Sequence, residues 1–350
     1  MDNSSQRKIL RVSPACEIPQ LAGEITSALV GDGPTLGFGD ITSESAAHYA
    51  AVVIGTSGSS GSPKEVALTA TALISSARAS NKFINAKPGE TWSLLLPLTH
   101  IAAVNVIIRA IELGTLPIDL RNHEGEYPKA DYTSIVPTQL FRALNGDLRL
   151  LKHLQSAKTV LVGGAALSQS LRNQAELAGI KVITTYGMTE TCGGCVYDGE
   201  VLDGVDVEIR NGKIAIRGPI LASSISLDAG WYETTDLGEI KNDKLVVLGR
   251  ADDVIISGGE NLSLNAVEAS LNTAFPEVEF AAFSIEDPQW GDSLQIAVVG
   301  TVSDEELITH LESDLGSFAK PKGIHRLTSL PLLGIGKVDR KSLAKGIAHE

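Results

Sequence analysis

The chain has 350 residues, 43% of them hydrophobic and 20% charged, with a formal net charge of −13. This length suits two or three cores at roughly 150 residues each, and the composition is ordinary for a soluble globular protein. The acidic balance excludes nucleic acid and anionic membrane surfaces as main targets, so anionic substrates would need local cations.

The segment 1–14 carries Arg7, Lys8 and Arg11 without the apolar run of a signal peptide. The most apolar region, 93–120, is interrupted by His100, Asn105, Arg109 and Glu112 and does not read as a membrane span. A cytoplasmic protein is the simplest expectation. From 49 to 190, short apolar runs alternate with amphipathic stretches. They predict strands at Tyr49–Ile54, Thr91–Leu96, Thr133–Val136, Thr159–Val162 and Val182–Thr185. Between them, helices are predicted at Ala70–Phe83, Ala102–Leu113 and Gln169–Ala178, the last bracketed by Ser168 as N-cap and Gly179 as stop. Such alternation implies α/β layers.

Beyond Gly199 the pattern changes. Asn211-Gly212 lies between Val205–Arg210 and Lys213–Arg217, and Asn242-Asp243 between Glu239–Lys241 and Lys244–Leu248. These are hairpin signals of an antiparallel β subdomain. Residues 253–350 read as a small α+β unit, with an apolar run at Asp253–Ile256, a helix near Asn265–Leu271 and strands near Val278–Ser284 and Leu294–Val299. A helix near Asp304–Leu315 follows, and the Gly-, Pro- and Lys-rich stretch Gly316–Arg340 reads as a mobile functional loop. The expected fold is therefore α/β: a large N-terminal domain (1–251) of α/β layers plus a β subdomain, followed by a small mobile α+β C-terminal domain (252–350).

The sharpest local signal is Gly55-Thr-Ser-Gly-Ser-Ser-Gly-Ser-Pro-Lys64, entered from an apolar strand. Bare glycine backbone, hydroxyls and a following lysine together suit phosphate oxygens. The Walker pattern does not fit, because Pro63 precedes the lysine and Glu65 follows it; a flexible Gly/Ser linker is the competing reading. Cys192-Gly-Gly-Cys195 has the spacing of a redox pair or half a zinc site. No second pair and no histidine within ten residues accompanies it, so these cysteines, like Cys16, read as small buried residues.

Four further segments accompany the loop: Thr185-Tyr-Gly-Met-Thr-Glu-Thr191, Trp231-Tyr-Glu-Thr-Thr-Asp-Leu-Gly238, Gly249-Arg-Ala-Asp-Asp-Val-Ile-Ile-Ser-Gly-Gly-Glu260 and Gly336-Lys-Val-Asp-Arg-Lys341. In this order, over about residues 50–345, the series resembles the adenylate-forming superfamily of acyl-CoA synthetases, peptide-synthetase adenylation domains and luciferases. The resemblance implies that Thr56, Ser57, Gly58, Ser59, Ser60, Gly61 and Lys64 hold the β- and γ-phosphates of ATP. Gly163, Gly164 and Ala165 would lie against adenine, with Tyr186 stacked on the base and Thr185, Gly187 and Met188 beside it. Thr189 would bond near the α-phosphate, Glu190 would bind magnesium, Asp236 would accept the ribose hydroxyls and Arg250 would reinforce those contacts. Lys337 would be the catalytic lysine. The small domain would swing about Asp252, presenting Lys337 for adenylation and then the loop Ser257-Gly258-Gly259 for transfer to CoA. ATP, Mg2+ and CoA as co-substrate follow from the same likeness.

Peptide-synthetase domains place an aspartate in the segment corresponding to 96–104, where this chain has His100 and no acid. Arg109, nine residues on, would suit a second carboxylate. Pro-Leu-x-His-Ile, an arginine on the next helix and Gly-Met-Thr-Glu-Thr-Cys are similar to the o-succinylbenzoate–CoA ligases of menaquinone biosynthesis. A small aromatic or acyl carboxylate, specifically a dicarboxylate, is the implied partner. Another aryl- or acyl-CoA ligase, transfer to a carrier-protein thiol, and a non-catalytic nucleotide-binding homologue are the alternatives. Three departures stand out. Only 54 residues precede the loop, which implies a reduced first subdomain, with a homo-oligomer as one way to complete it. Glu65 replaces the usual glycine, and Thr235 stands where glycine is usual.

Overall fold

The computed structural model describes residues 6–57, 63–257, 260–287, 291–331 and 338–347. Its centre is a seven-stranded sheet, ordered 200–201, 193–197, 182–188, 159–162, 132–135, 92–94, 118–119. The five strands from 182–188 onward run parallel. A parallel sheet needs helices on both faces, and it has them. Ala70–Phe83 and Ile101–Glu112 share one core with Trp92, Leu94 and Tyr197. On the other face Pro137–Leu144, Leu148–Ser156 and Gln169–Leu177 pack with Val160, Val162 and Val182. Ser168 caps the last of these by accepting from the Leu171 amide, and Gly179 takes φ +80° beyond its end, as the sequence predicts.

A second sheet of five strands, ordered 45–47, 6–11, 35–38, 50–57, 63–69, carries the hairpin around the phosphate loop. Three of its strands and the helix Ile18–Val30 come from residues ahead of that loop, where the sequence reading predicts no elements. The helix ends where Gly31 turns left-handed at φ +88°. The β subdomain is a four-stranded antiparallel sheet, 206–210, 213–217, 232–241 and 244–250. Both of its dipeptide turns hold two residues at positive φ, Asn211 and Gly212 at 49° and 78° and Asn242 and Asp243 at 51° and 59°. These are the primed turns that match strand twist.

The C-terminal part has cores of its own. The largest core ends at Leu245 in sequence, and the next begins at Ile255. Leu264–Ala274 and Asp304–Leu315 cover a three-stranded sheet of 279–287, 291–299 and 323–326. The expectation of a loop over Gly316–Arg340 needs correction. Gly323–Arg326 is a strand, pairing in parallel with Gln295–Val298, and Ser317–Ala319 forms a 3-10 turn. In Gly-Ile-His-Arg only Ile324 is apolar, so no alternation marks the strand; pairing of Ile324 with Ile296 over the core creates it. Together these elements form an α/β fold with a β subdomain and a smaller α+β unit.

Candidate active site

Strand Val182–Met188 runs parallel to Thr159–Val162 as far as Thr184, then pairs antiparallel with Gly193–Tyr197. The change exposes the end of the strand, with a register shift between Tyr186 and Gly187. Close approach favours glycine at two positions here, against the Thr185 side chain at one and against backbone at the other. A Cβ on Gly163 would fall 2.2 Å from Thr185 Oγ1, and one on Gly187 2.0 Å from the Gly193 carbonyl oxygen. Gly164 and Ala165 are exposed just beyond, so Gly163–Ala165 and Thr185–Met188 form adjoining walls at the C-terminal ends of parallel strands. That is where open α/β sheets bind ligands.

Tyr186 connects this wall to the β subdomain. Its hydroxyl donates to Asp236 Oδ2 at 2.8 Å. Burial, then the Asp236 charge, pushes the phenol pKa up, so it remains a donor. Asp236 pairs across the strands with Arg250, whose guanidinium stands 3.8 Å from Oδ1. The buried Thr234 hydroxyl accepts from the Asp236 amide at 3.0 Å.

Thr189–Thr191 form a 3-10 turn that ends in Cys192 at φ +51°. The Glu190 carbonyl accepts from the Ala222 amide at 2.8 Å, fixing the turn while its side chain stays half-buried. Tyr232 lies in the field of the same groups. Its hydroxyl pKa is pushed up to about 12, first by burial, then by the Glu190 and Asp236 carboxylates, with Arg250 opposing. No motif role marks Tyr232 in the sequence, although it stands inside the Trp231–Gly238 segment. Among the described residues no group of three acidic, histidine or cysteine side chains is arranged to hold a metal unaided. Glu190 nonetheless fits one: magnesium takes one or two carboxylates and completes its octahedron with phosphates and waters, and the negative field at Tyr232 is one that a divalent cation would neutralise.

Lys64 is exposed and sits opposite Thr56 in the hairpin, where the Thr56 hydroxyl donates to the Lys64 carbonyl at 3.2 Å. Glu65 turns toward Thr42 and Ser43. Its Oε1 accepts from the Thr42 amide, the Thr42 hydroxyl and the Ser43 amide at 2.6, 2.8 and 3.0 Å. Burial alone would raise this carboxyl; the bonds from Ser43 and Thr42 outweigh burial and hold it at about 2. The Gly39 α-carbon, at φ +76°, brings the carbonyls of Gly55 and Thr99 within 3.2 Å of where a Cβ would stand. The root of the phosphate loop thus adjoins the segment entering His100.

His100 is the half-buried N-cap residue of Ile101–Glu112, without a side-chain capping bond, and burial lowers its pKa, leaving a neutral ring at pH 7. Arg109, two turns on, is interior, with 4% of its surface exposed. Its guanidinium stacks 5.2 Å from the Trp92 ring and donates to Tyr197 OH at 3.0 Å and Ser134 Oγ at 3.4 Å. Among the described residues no carboxylate pairs with it, and its Nε has no partner. Cys192 and Cys195 are buried free thiols, Cys195 pushed up to about 12 by burial, as expected of packing residues. Asp252 lies in the 3-10 turn Ala251–Asp253, and Ser257 is buried, donating to the Phe318 carbonyl at 2.8 Å. Gly58, Ser59, Ser60, Gly61, Gly258, Gly259 and Lys337 lie outside the described residues, and Ser57 is described only as the last residue of its strand.

The family profile described as AMP-binding enzyme matches residues 17–221. The chain belongs to the AMP-binding enzyme family. A probable 2-succinylbenzoate–CoA ligase of Mycobacterium tuberculosis is 38% identical over 331 residues, spanning 86% of this chain and 85% of that protein. The 2-succinylbenzoate–CoA ligase of Lactococcus lactis is 28% identical, spanning 84% and 70%. Among solved structures, E. coli MenE with bound OSB-AMS is similar at a TM-score of 0.76 and 25% identity, over 98% of this chain and 82% of that one. The Bacillus subtilis o-succinylbenzoate CoA synthetase in complex with the acyl-adenylate intermediate OSB-AMP gives 0.72 and 25%, over 92% and 80%. For an AMP-binding enzyme the bonded pair Tyr186–Asp236 and the Glu190 turn are chemically apt, offering a flat ring, a carboxylate and a hard oxygen ligand. No helix among the described residues is long and apolar enough to cross a membrane.

Proposed function

We propose that this AMP-binding enzyme is an ATP-dependent acid–CoA ligase that acts on 2-succinylbenzoate, the step named for its relatives and, by its resemblance to the o-succinylbenzoate–CoA ligases, one of menaquinone biosynthesis. The observation that carries this reading is the 38% identity to the mycobacterial ligase across most of both chains. In the first half-reaction a carboxylate oxygen of the acid attacks the α-phosphorus of ATP, and the bond to the pyrophosphate oxygen breaks. In the second, the CoA sulfur attacks the acyl carbon, its proton leaves to solvent, and AMP departs with the acyl–oxygen bonding pair.

Within that chemistry Asp236 binds the ribose, held in place by Tyr186 and Arg250, while the Tyr186 ring covers adenine. Lys64 and the loop 56–61 receive the outer phosphates. Glu190 would hold Mg2+, which supplies charge neutralisation on the phosphates. Lys337 enters between carboxylate and α-phosphate, where a fixed cation favours the in-line transition state. Neutral His100 lies on the acid side. For Arg109 we propose that it receives the second carboxylate, supported by an interior guanidinium that lacks a carboxylate partner among the described residues. A boundary at 251/252 and a swing about Asp252 follow from the family likeness, and the separation of the cores at Leu245 and Ile255 favours them. A cytoplasmic location fits the free thiols.

Mass spectrometry of protein, MgATP, CoA and 2-succinylbenzoate tests the reading; a CoA thioester that requires all three small molecules is the expected product. Lys337→Ala should abolish pyrophosphate release yet still form thioester from supplied acyl-adenylate. Equal loss of both half-reactions refutes the assignment of Lys337. Absence of thioester from 2-succinylbenzoate, with product from another aryl acid, refutes the substrate.

A further inference from the structure

The turn that carries Glu190 is held from behind by residues assigned no role so far. Cys192, a non-glycine residue at φ +51°, ends the turn; a left-handed residue of this type persists only where its surroundings over-determine it. Two helices supply that determination through one atom. The Cys192 carbonyl oxygen accepts from Ser76 Oγ at 2.9 Å and from Asn105 Nδ2 at 2.5 Å. Ser76 and Asn105 are each only 1% exposed. Ser76 lies on Ala70–Phe83, the helix that follows the phosphate-loop hairpin, and Asn105 on Ile101–Glu112, the helix that begins after His100 and carries Arg109.

The fit leaves no slack. A Cβ on Gly193 would lie 2.2 Å from Asn105 Nδ2, and Gly193 O in turn accepts from Thr191 Oγ1 at 2.7 Å. Thr191 Oγ1 also accepts from the Met188 amide at 2.9 Å. Asn105 Oδ1 is buried with no partner among the described residues, so the amide is kept at the expense of an unsatisfied acceptor. An apolar side chain of similar volume would avoid that penalty and would leave the carbonyl short of a donor.

We infer that Asn105 and Ser76 are positioning residues for Glu190: through the Cys192 carbonyl they lock the metal-ligand carboxylate in register with both the helix Ala70–Phe83 and the acid-side helix Ile101–Glu112. This rests on the reading of Glu190 as the magnesium ligand. Asn105→Leu, Ser76→Ala and Glu190→Gln, with the double variant Asn105→Leu/Glu190→Gln, test it by calorimetric ATP binding to the full chain in Mg2+ and in EDTA. The removal of one such hydrogen bond is expected to cut the magnesium-dependent gain in ATP affinity about fivefold. Binding in EDTA should stay within about twofold, and Asn105→Leu should add nothing on top of Glu190→Gln. Should Asn105→Leu not fold, Ser76→Ala, which deletes the second donor to the same carbonyl, makes the same measurement. If Asn105→Leu and Ser76→Ala keep the full magnesium gain while Glu190→Gln loses it, the positioning role is overturned. If Glu190→Gln itself keeps the gain, the metal-ligand reading falls, and this inference falls with it.

Discussion

Arg340 lies three residues beyond Lys337 and is bonded to the segment in which the chain enters the small unit. Its guanidinium donates to the Ala282 carbonyl at 2.8 Å, Glu268 at 2.9 Å, Asn265 Oδ1 at 3.1 Å and Asp253 Oδ2 at 3.3 Å. The three charged side chains are 18–20% exposed. Replacement by methionine keeps the aliphatic volume and strands two carboxylates. Breaking a buried pair from one side costs 3–5 kcal/mol, and partial exposure places this case at about 3 kcal/mol, or roughly a hundredfold in the local opening constant. Native-state hydrogen exchange over the strands 279–287 and 291–299 reads that constant directly. Burial raises the Glu268 pKa, and Arg340 is the chief influence opposing it. A carboxyl raised in the folded state is fully accommodated below its unfolded pKa and loses stability as pH rises through the folded one. The Arg340→Met defect should therefore be larger at pH 8 than at pH 5. Adding Glu268→Gln should recover part of it by removing the stranded charge. A change below about 0.5 kcal/mol, within the range of ordinary surface substitutions, or no recovery in the double variant, would refute the reasoning.

Tyr186→Phe removes a 2.8 Å bond to the Asp236 carboxylate; MgATP should bind about tenfold more weakly, with a smaller preference for ATP over 3′-deoxyATP, by calorimetry. An unchanged preference would separate Tyr186 from ribose recognition. Gly187→Ala sets a Cβ 2.0 Å from the Gly193 carbonyl oxygen, backbone that cannot rotate away, and should cost about 2 kcal/mol in urea unfolding together with loss of MgATP binding. Wild-type stability at either measure would contradict that contact. Glu65 is depressed from 4.5 to about 2, so its contribution is present above pH 4.5 and is lost as pH falls toward 2. The melting-temperature gap between the wild type and Glu65→Gln should close over that interval, and a gap independent of pH would count against the Thr42–Ser43 contacts.

Several elements follow from local signals alone. Strand Thr159–Val162 and helices Ala70–Phe83 and Asp304–Leu315 have the predicted bounds, because each is set by local apolar periodicity and its capping residues. Both dipeptide turns were legible because positive φ at two successive positions favours Asn, Asp and Gly. The nucleotide-site candidates rest on the resemblance of whole motifs, since a lone tyrosine also reads as core packing and a lone aspartate as a turn former. Other features depend on partners distant in the chain. Gly323–Arg326 is a strand only because Gln295–Val298 lies beside it. The Tyr186–Asp236 bond joins residues 50 apart in sequence, and Asn105 meets Cys192 across 87. Arg109 shows the limit most plainly: helical spacing sets the face it occupies, but only the packing of Trp92, Ser134 and Tyr197 around it places that charge inside the protein. Periodicity reports which residues share a face; what covers that face is set by segments whose distance along the chain carries no local signal.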